Sequence, residues 1–222
     1  MTGTSRARGT ALERACDDLT AILVEEQHSQ PGPIGFGVTK RPSVGYLVDK
    51  FSERAKGLPA GEMLDELLLA VAPNRGPALL WRWWTRSDVD SSVLARLILL
   101  VWSLTDCPEQ DLGQRRWLEL FRATGYVSLN DAPPQRGPLL IYRGAPERYR
   151  RRMAWTTDPE IACRFATMTT RSPGEVWRST VPPHAVLARF YESGGRSEAE
   201  VIVNPNCLRG EATPRRVIET LR

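Results

Sequence analysis

Leu139-Leu140-Ile141-Tyr142-Arg143-Gly144 decides how this chain is organised, because the hydrophobic pattern changes period there. The segment before it, NDAPPQRGP (130–138), is dense in proline and turn formers and reads as a joint. Downstream, EVWRSTV (175–181), AVLARFY (185–191) and AEVIV (199–203) are short, rich in β-formers and bounded by Gly, Pro or Ser. One helix, 159–168, sits among them. Strands accompanied by a single early helix point to an α+β arrangement and away from alternating βαβ units.

Upstream of the joint, every patterned segment reads as helix. Leu12, Ala15, Leu19, Ile22 and Leu23 follow the spacing of one helical face, and Ser43 is placed to cap a helix carrying Val44, Leu47, Val48, Phe51 and Ala55. Met63, Leu64, Leu67, Leu68 and Val71 form a third stripe, and further helices are expected at 89–104 and 111–124. Trp81, Trp83 and Trp84 fall between these helices and read as core filling. The expected organisation is a helical region over 1–130 and a strand-rich region over 137–222.

Composition narrows the function classes. Residues 1–135 carry 15 basic and 17 acidic side chains, whereas residues 136–222 carry 15 arginines, no lysine and 9 acidic groups. That positive excess suits a polyphosphate ligand or a nucleic acid, although the spread of the arginines and the lack of an aromatic RNA-binding motif point away from the second. Cys16, Cys107, Cys163 and Cys207 fit no zinc spacing and read as buried or half-buried thiols; with only His28 and His184 available, no metal centre is expected. No run reaches the roughly 20 apolar residues that span a bilayer. Residues 1–18 have scattered charges and no apolar stretch, so no membrane partner is expected and the expected compartment is the cytoplasm.

Three places in the second region carry chemistry together. Alternation puts Arg143 on the face of Leu139 and Ile141, where a half-buried guanidinium seeks an anion; an ordinary surface ion pair is the other reading. Gly144 lets the backbone come close to a neighbour or a ligand. Next, Trp155-Thr156-Thr157-Asp158-Pro159 supplies hydroxyls and a helix start, with Ile161, Ala162, Phe165 and Ala166 expected on one helical face. Last, Ser197-Glu198-Ala199-Glu200-Val201 places two carboxylates on one strand face, although acidic residues are depleted in strands. An exposed edge protected by charge would also account for them.

The order of Tyr142-Arg143-Gly144, then Trp155-Thr156-Thr157 before a helix bearing Phe165, then Glu198-x-Glu200 resembles the arginine–serine–glutamate class of ADP-ribosyltransferases. The likeness covers residues 137–222 and leaves out the helical region. It implies a split β-sandwich that binds NAD as substrate, without a metal. It further implies that Glu200 is catalytic, that Glu198 orients the acceptor, that Arg143 grips a phosphate of NAD, and that Gly144 meets the carboxamide. Thr156 or Thr157 would support the site, and Phe165 or Trp155 would pack on the nicotinamide ring. The family's serine–threonine–serine motif stands here as Trp155-Thr156-Thr157, so which threonine takes the first serine's place stays open. The implied reaction is mono-ADP-ribosyl transfer to a macromolecule, a protein arginine first and a nucleic acid second. An NAD glycohydrolase, and a non-enzymatic interaction protein carrying a relic domain, are the alternatives.

Overall fold

The computed structural model describes residues 10–29, 43–129, 132–168, 174–190, 199–208 and 213–214. The chain divides into two compact units, Met1–Asp111 and Leu112–Arg222.

The first unit is helical: α1 (Ala11–Ser29), α2 (Val44–Ala55), α3 (Ala60–Ala70), α4 (Gly76–Thr85), α5 (Ser91–Leu104) and the single turn α6 (Pro108–Asp111). Each start has a local cause. Thr10 and Glu13 exchange side-chain and backbone hydrogen bonds ahead of α1, a reciprocal cap. Ser43 Oγ accepts from the Tyr46 amide at α2, and Asp90 accepts from the Ser92 and Val93 amides at α5. Pro77 occupies the first turn of α4, where its missing N–H is not needed. The stripes meet in a core that includes Leu19, Leu64, Leu67, Leu80, Trp83, Leu94, Leu97 and Ile98, all at most 1% exposed. The three tryptophans lie on α4 itself and not between helices, as the pattern suggested, and only Trp83 is fully buried. Within this core Asp18 of α1, 3% exposed, accepts hydrogen bonds from Trp83 Nε1, Arg82 and Arg86.

In the second unit, α7 (Gln114–Thr124) leads into β1 (Val127–Ser128), β2 (Leu139–Ala145), β3 (Ala154–Thr156), α8 (Pro159–Met168), β4 (Glu175–Val181), β5 (Val186–Arg189), β6 (Glu200–Val203) and β7 (Thr213–Pro214). The seven strands form one mixed sheet in the order β1-β5-β6-β3-β2-β4-β7, parallel only between β1 and β5. The α+β class is therefore as read from the pattern. The division falls earlier than the 130–138 joint, because α7 runs straight into a sheet strand and the Gln114 side chain donates to Arg151 O at 3.1 Å. The expected helix 111–124 also begins later, since Gly113 at φ 85° separates it from α6.

One feature of the sheet positions the candidate site. β2 and β4 pair along seven residues, but β2 and β3 pair only at Tyr142–Thr156. The sheet is thus two halves, β1-β5-β6-β3 and β2-β4-β7, joined by one residue pair. On the odd-numbered face Ile141, Ala145, Trp155, Trp177, Val181, Val201 and Val203 build an apolar core. On the even-numbered face α8 packs over β2 and β4 through Ala162, Ala166 and Val176. Among the described residues no helix is long and apolar enough to cross a membrane. The four cysteines are free thiols, and Cys107 is exposed, where burial or half-burial was expected.

Candidate functional site

Directly opposed residues in paired strands carry their side chains on the same face. The register runs Arg178 to Tyr142, Tyr142 to Thr156 and Thr156 to Glu200. Four polar side chains from four neighbouring strands therefore form one row on the even face. Strands lie about 4.8 Å apart, so the row spans roughly 14 Å from the Arg178 backbone to that of Glu200. A guanidinium stands at one end, a carboxylate at the other, and two hydroxyls lie between. Arg178 and Glu200 are half-buried and Thr156 is buried, whereas Leu140 and Thr180 on the same face are exposed. The row passes under α8, since Tyr142 packs against the group formed by Ala162, Ala166 and Val176.

Glu200 is held at both sides of its backbone, paired with Thr156 on β3 and accepting the Phe190 amide at 2.9 Å. Ala199, just before it, has φ 43°, a left-handed conformation that costs an alanine energy. Its carbonyl accepts the Thr157 amide at 3.2 Å, which fastens the bend to the entry of α8. Thr156 Oγ1 accepts the Asp158 amide at 3.1 Å, and Asp158 accepts the Glu160 amide at 2.7 Å, so the same residues that start α8 aim the threonine. Of the two threonines left open by the sequence, Thr156 is the one opposite Glu200.

The other expected site residues are not gathered into this row. Arg143 follows Tyr142 and so projects from the odd face, with Leu139 and Ile141 but opposite Glu200. Its Nε donates to Tyr149 O at 3.0 Å and its Nη1 donates to Ala154 O, across the fork where β2 and β3 separate. The phosphate-gripping role expected for Arg143 does not fit that placement; period-two alternation separates it from the carboxylate. Gly144 is needed for a close approach, but the neighbour is α8: a β-carbon there would lie 1.8 Å from Ala162 O. Trp155 is 4% exposed in the odd-face core, with Nε1 donating to Arg152 O, and offers no face to a ligand ring. Phe165 is 42% exposed and lies apart from the packed face formed by Ile161, Ala162 and Ala166, because α8 presents a narrower apolar stripe than the spacing suggested. Glu198 lies outside the described residues.

Two residues of the row went unremarked in the sequence, Arg178 and the hydroxyl of Tyr142. Alternation along EVWRSTV identifies the face of Arg178 within its own strand, but only the register between strands carries it to Glu200. Cys163, like Tyr142, packs against the group formed by Ala162, Ala166 and Val176. Burial first, then Glu160 and Asp158, push its thiol above the ordinary range. Among the described residues no group of three His, Cys, Asp or Glu side chains could hold a metal ion. No family model, no curated protein and no solved structure matches this chain.

Proposed function

We propose that the second unit is an NAD-dependent mono-ADP-ribosyltransferase, with Glu200 its catalytic carboxylate and a macromolecule, protein arginine first, as acceptor. The observation that carries this reading is the row Arg178–Tyr142–Thr156–Glu200. A half-buried carboxylate fixed at both sides of its backbone, with hydroxyls between it and a guanidinium whose backbone lies roughly 14 Å from its own, suits a dinucleotide laid along the even face. We read the one-pair joint between β2 and β3 as the opening between the two leaves of a split sandwich.

The chemistry follows from charge. Breaking the ribose C1′–nicotinamide bond sends its electron pair to nicotinamide, which leaves neutral, while positive charge develops on the ribose. A carboxylate already held near C1′ stabilises that charge without reorganising as it appears. The Thr156 hydroxyl supports Glu200, and Arg178 takes the phosphate role that Arg143 is placed away from; no carboxylate pairs with the Arg178 side chain among the described residues. The acceptor nitrogen then bonds to C1′ and gives up a proton, the step assigned to Glu198. Arg143 acts at one remove by holding the fork open at Ala154 and Tyr149.

Glu200→Gln is expected to keep the thermal midpoint and to lower nicotinamide release on the order of a hundredfold or more. Unchanged release in a folded variant would remove Glu200 from the mechanism. Arg178→Ala should raise KM for NAD about tenfold with kcat nearly kept, the pattern of lost uniform binding. Incubation with labelled NAD and lysate separates the alternatives: label on macromolecules means transfer, and free ADP-ribose alone means hydrolysis. Lack of NAD binding by calorimetry with the folded chain would favour the non-enzymatic reading, which the structural use of Arg143, Gly144 and Trp155 would then explain.

A further inference from the structure

In the helical unit α3 and α5 lie side by side and run in the same direction. A β-carbon at Gly61 would meet Val93, Asp65 bridges Arg96 at 2.6 Å, and Gly76 sits against both Leu68 and Val101. Leu69 follows Asp65 by one helical turn, Leu100 follows Arg96 by one turn, and Leu104 follows Leu100 by another. The turn Pro73–Arg75 after α3 is fastened to the end of α5: Thr105 Oγ1 donates to Pro73 O at 3.4 Å, and the Asp106 amide donates to Asn74 Oδ1 at 3.2 Å. Leu69, Ala72, Pro73, Leu100 and Leu104 therefore share one stretch of surface, and all five are exposed, the leucines by 42 to 73%. Single exposed leucines are ordinary; a contiguous apolar patch rimmed by charge marks a contact surface.

The charge around this patch is net negative. α3 and α5 both end there, so two helix C-termini bring the negative ends of their dipoles to it, and neither helix has a basic residue in its last turn. Asp106 and Asp111 stand beyond Leu104, close enough together that Asp106 adds to burial in pushing the Asp111 carboxyl above its ordinary range. Arg75 opposes that push, but it also serves Glu25 at 3.2 Å and Glu26 at 3.7 Å, one guanidinium among four carboxylates. At the other end of the patch the charges of Asp65 and Arg96 cancel.

We infer that Leu69, Leu100 and Leu104 form the seat of a basic amphipathic helix from another protein. Leucines at i and i+4, beside a third on the neighbouring helix, are spaced for the apolar stripe of a helix laid along the α3–α5 seam. Lysine or arginine flanking that stripe meets the two helix ends and Asp106. A nucleic acid or an anionic membrane carries the wrong sign. A second copy of the chain would bring the same negative rim. The patch, on the order of a few hundred Å², also falls short of the roughly 800 Å² that each partner buries in a standard interface. The seat lies wholly in the helical unit, so it stands or falls apart from the proposed NAD chemistry.

The test is fluorescence anisotropy with the full chain and a labelled leucine–lysine peptide of about 18 residues, helical, with its leucines on one face. The peptide should bind, and a leucine–glutamate counterpart with the same apolar stripe should bind about tenfold more weakly or worse. Leu69→Gln combined with Leu100→Gln, which keeps helix propensity, should lower affinity about tenfold or more and leave the thermal midpoint in place. Asp106→Asn should weaken binding at low salt and change it little at high salt, where screening has already removed the attraction. Met168→Gln, at an exposed apolar position on α8, should change nothing. Equal binding of the two peptides, unchanged affinity in the leucine variant, equal weakening by Met168→Gln, or a dimer of the free chain that the leucine variant breaks would each overturn the inference.

Discussion

Glu200 owes its position to Ala199. A left-handed alanine immediately before a strand is strained, and it persists because the Ala199 carbonyl is tied to Thr157 while Glu200 pairs with Thr156 and Phe190. Glycine adopts this conformation without a steric penalty, so Ala199→Gly should stabilise the chain by about 1 kcal/mol, read as a higher thermal midpoint. If a stiff bend aims the carboxylate, the same variant should lower the rate of nicotinamide release even as stability rises. A gain in stability with no change in rate would show that the bend serves the fold alone. Arg143 teaches a complementary lesson. Its face was legible from alternation, yet its donors go to backbone carbonyls at the β2–β3 fork, a demand that arises only once β3 is in place.

At the level of elements, α8 and β2 depend on a glycine. The helix backbone comes so near β2 at Gly144 that an added β-carbon would overlap the Ala162 carbonyl and lie 2.5 Å from the Ala166 amide nitrogen. Both neighbours are backbone, so relief requires moving the helix. Gly144→Ala should cost about 3 kcal/mol or more, measured as a lower urea midpoint, and should disturb Thr156 through the α8 entry. A cost below about 1 kcal/mol would mean that α8 shifts freely. The pattern LLIYRG named this glycine as a point of close approach but could not say what approaches, because helix α8 follows it by 15 residues and is brought back by the sheet. β3, with three residues, and β1 and β7, with two each, are too short to show alternation. They were missed for that reason, and with them the join between the two halves of the sheet.

Over the whole molecule, each compact unit settles its own charge differently. The helical unit buries Asp18 against Arg82, Arg86 and Trp83, and holds Asp88 with Arg14 and Arg86. Asp18→Ala removes a buried acceptor and leaves the Trp83 N–H without it; because both arginines are about a third to a half exposed and can rehydrate, the cost should be nearer 2 than 5 kcal/mol. Chemical denaturation checks this, and a neutral outcome would mean that the network only fixes helix register. The second unit instead aligns a guanidinium and a carboxylate along one face of its sheet. Local physics made much of this readable from the chain alone. Helical stripes, the cap at Ser43, the change of period at residue 139 and the single helix among strands depend on neighbours a few residues apart, and residue order carries such information. Which strand pairs with which, at what register, depends on contacts across tens of residues, and a one-residue slip exchanges the faces of a strand. Only the folded sheet could therefore bring Arg178 into line with Glu200 and turn Arg143 away from it.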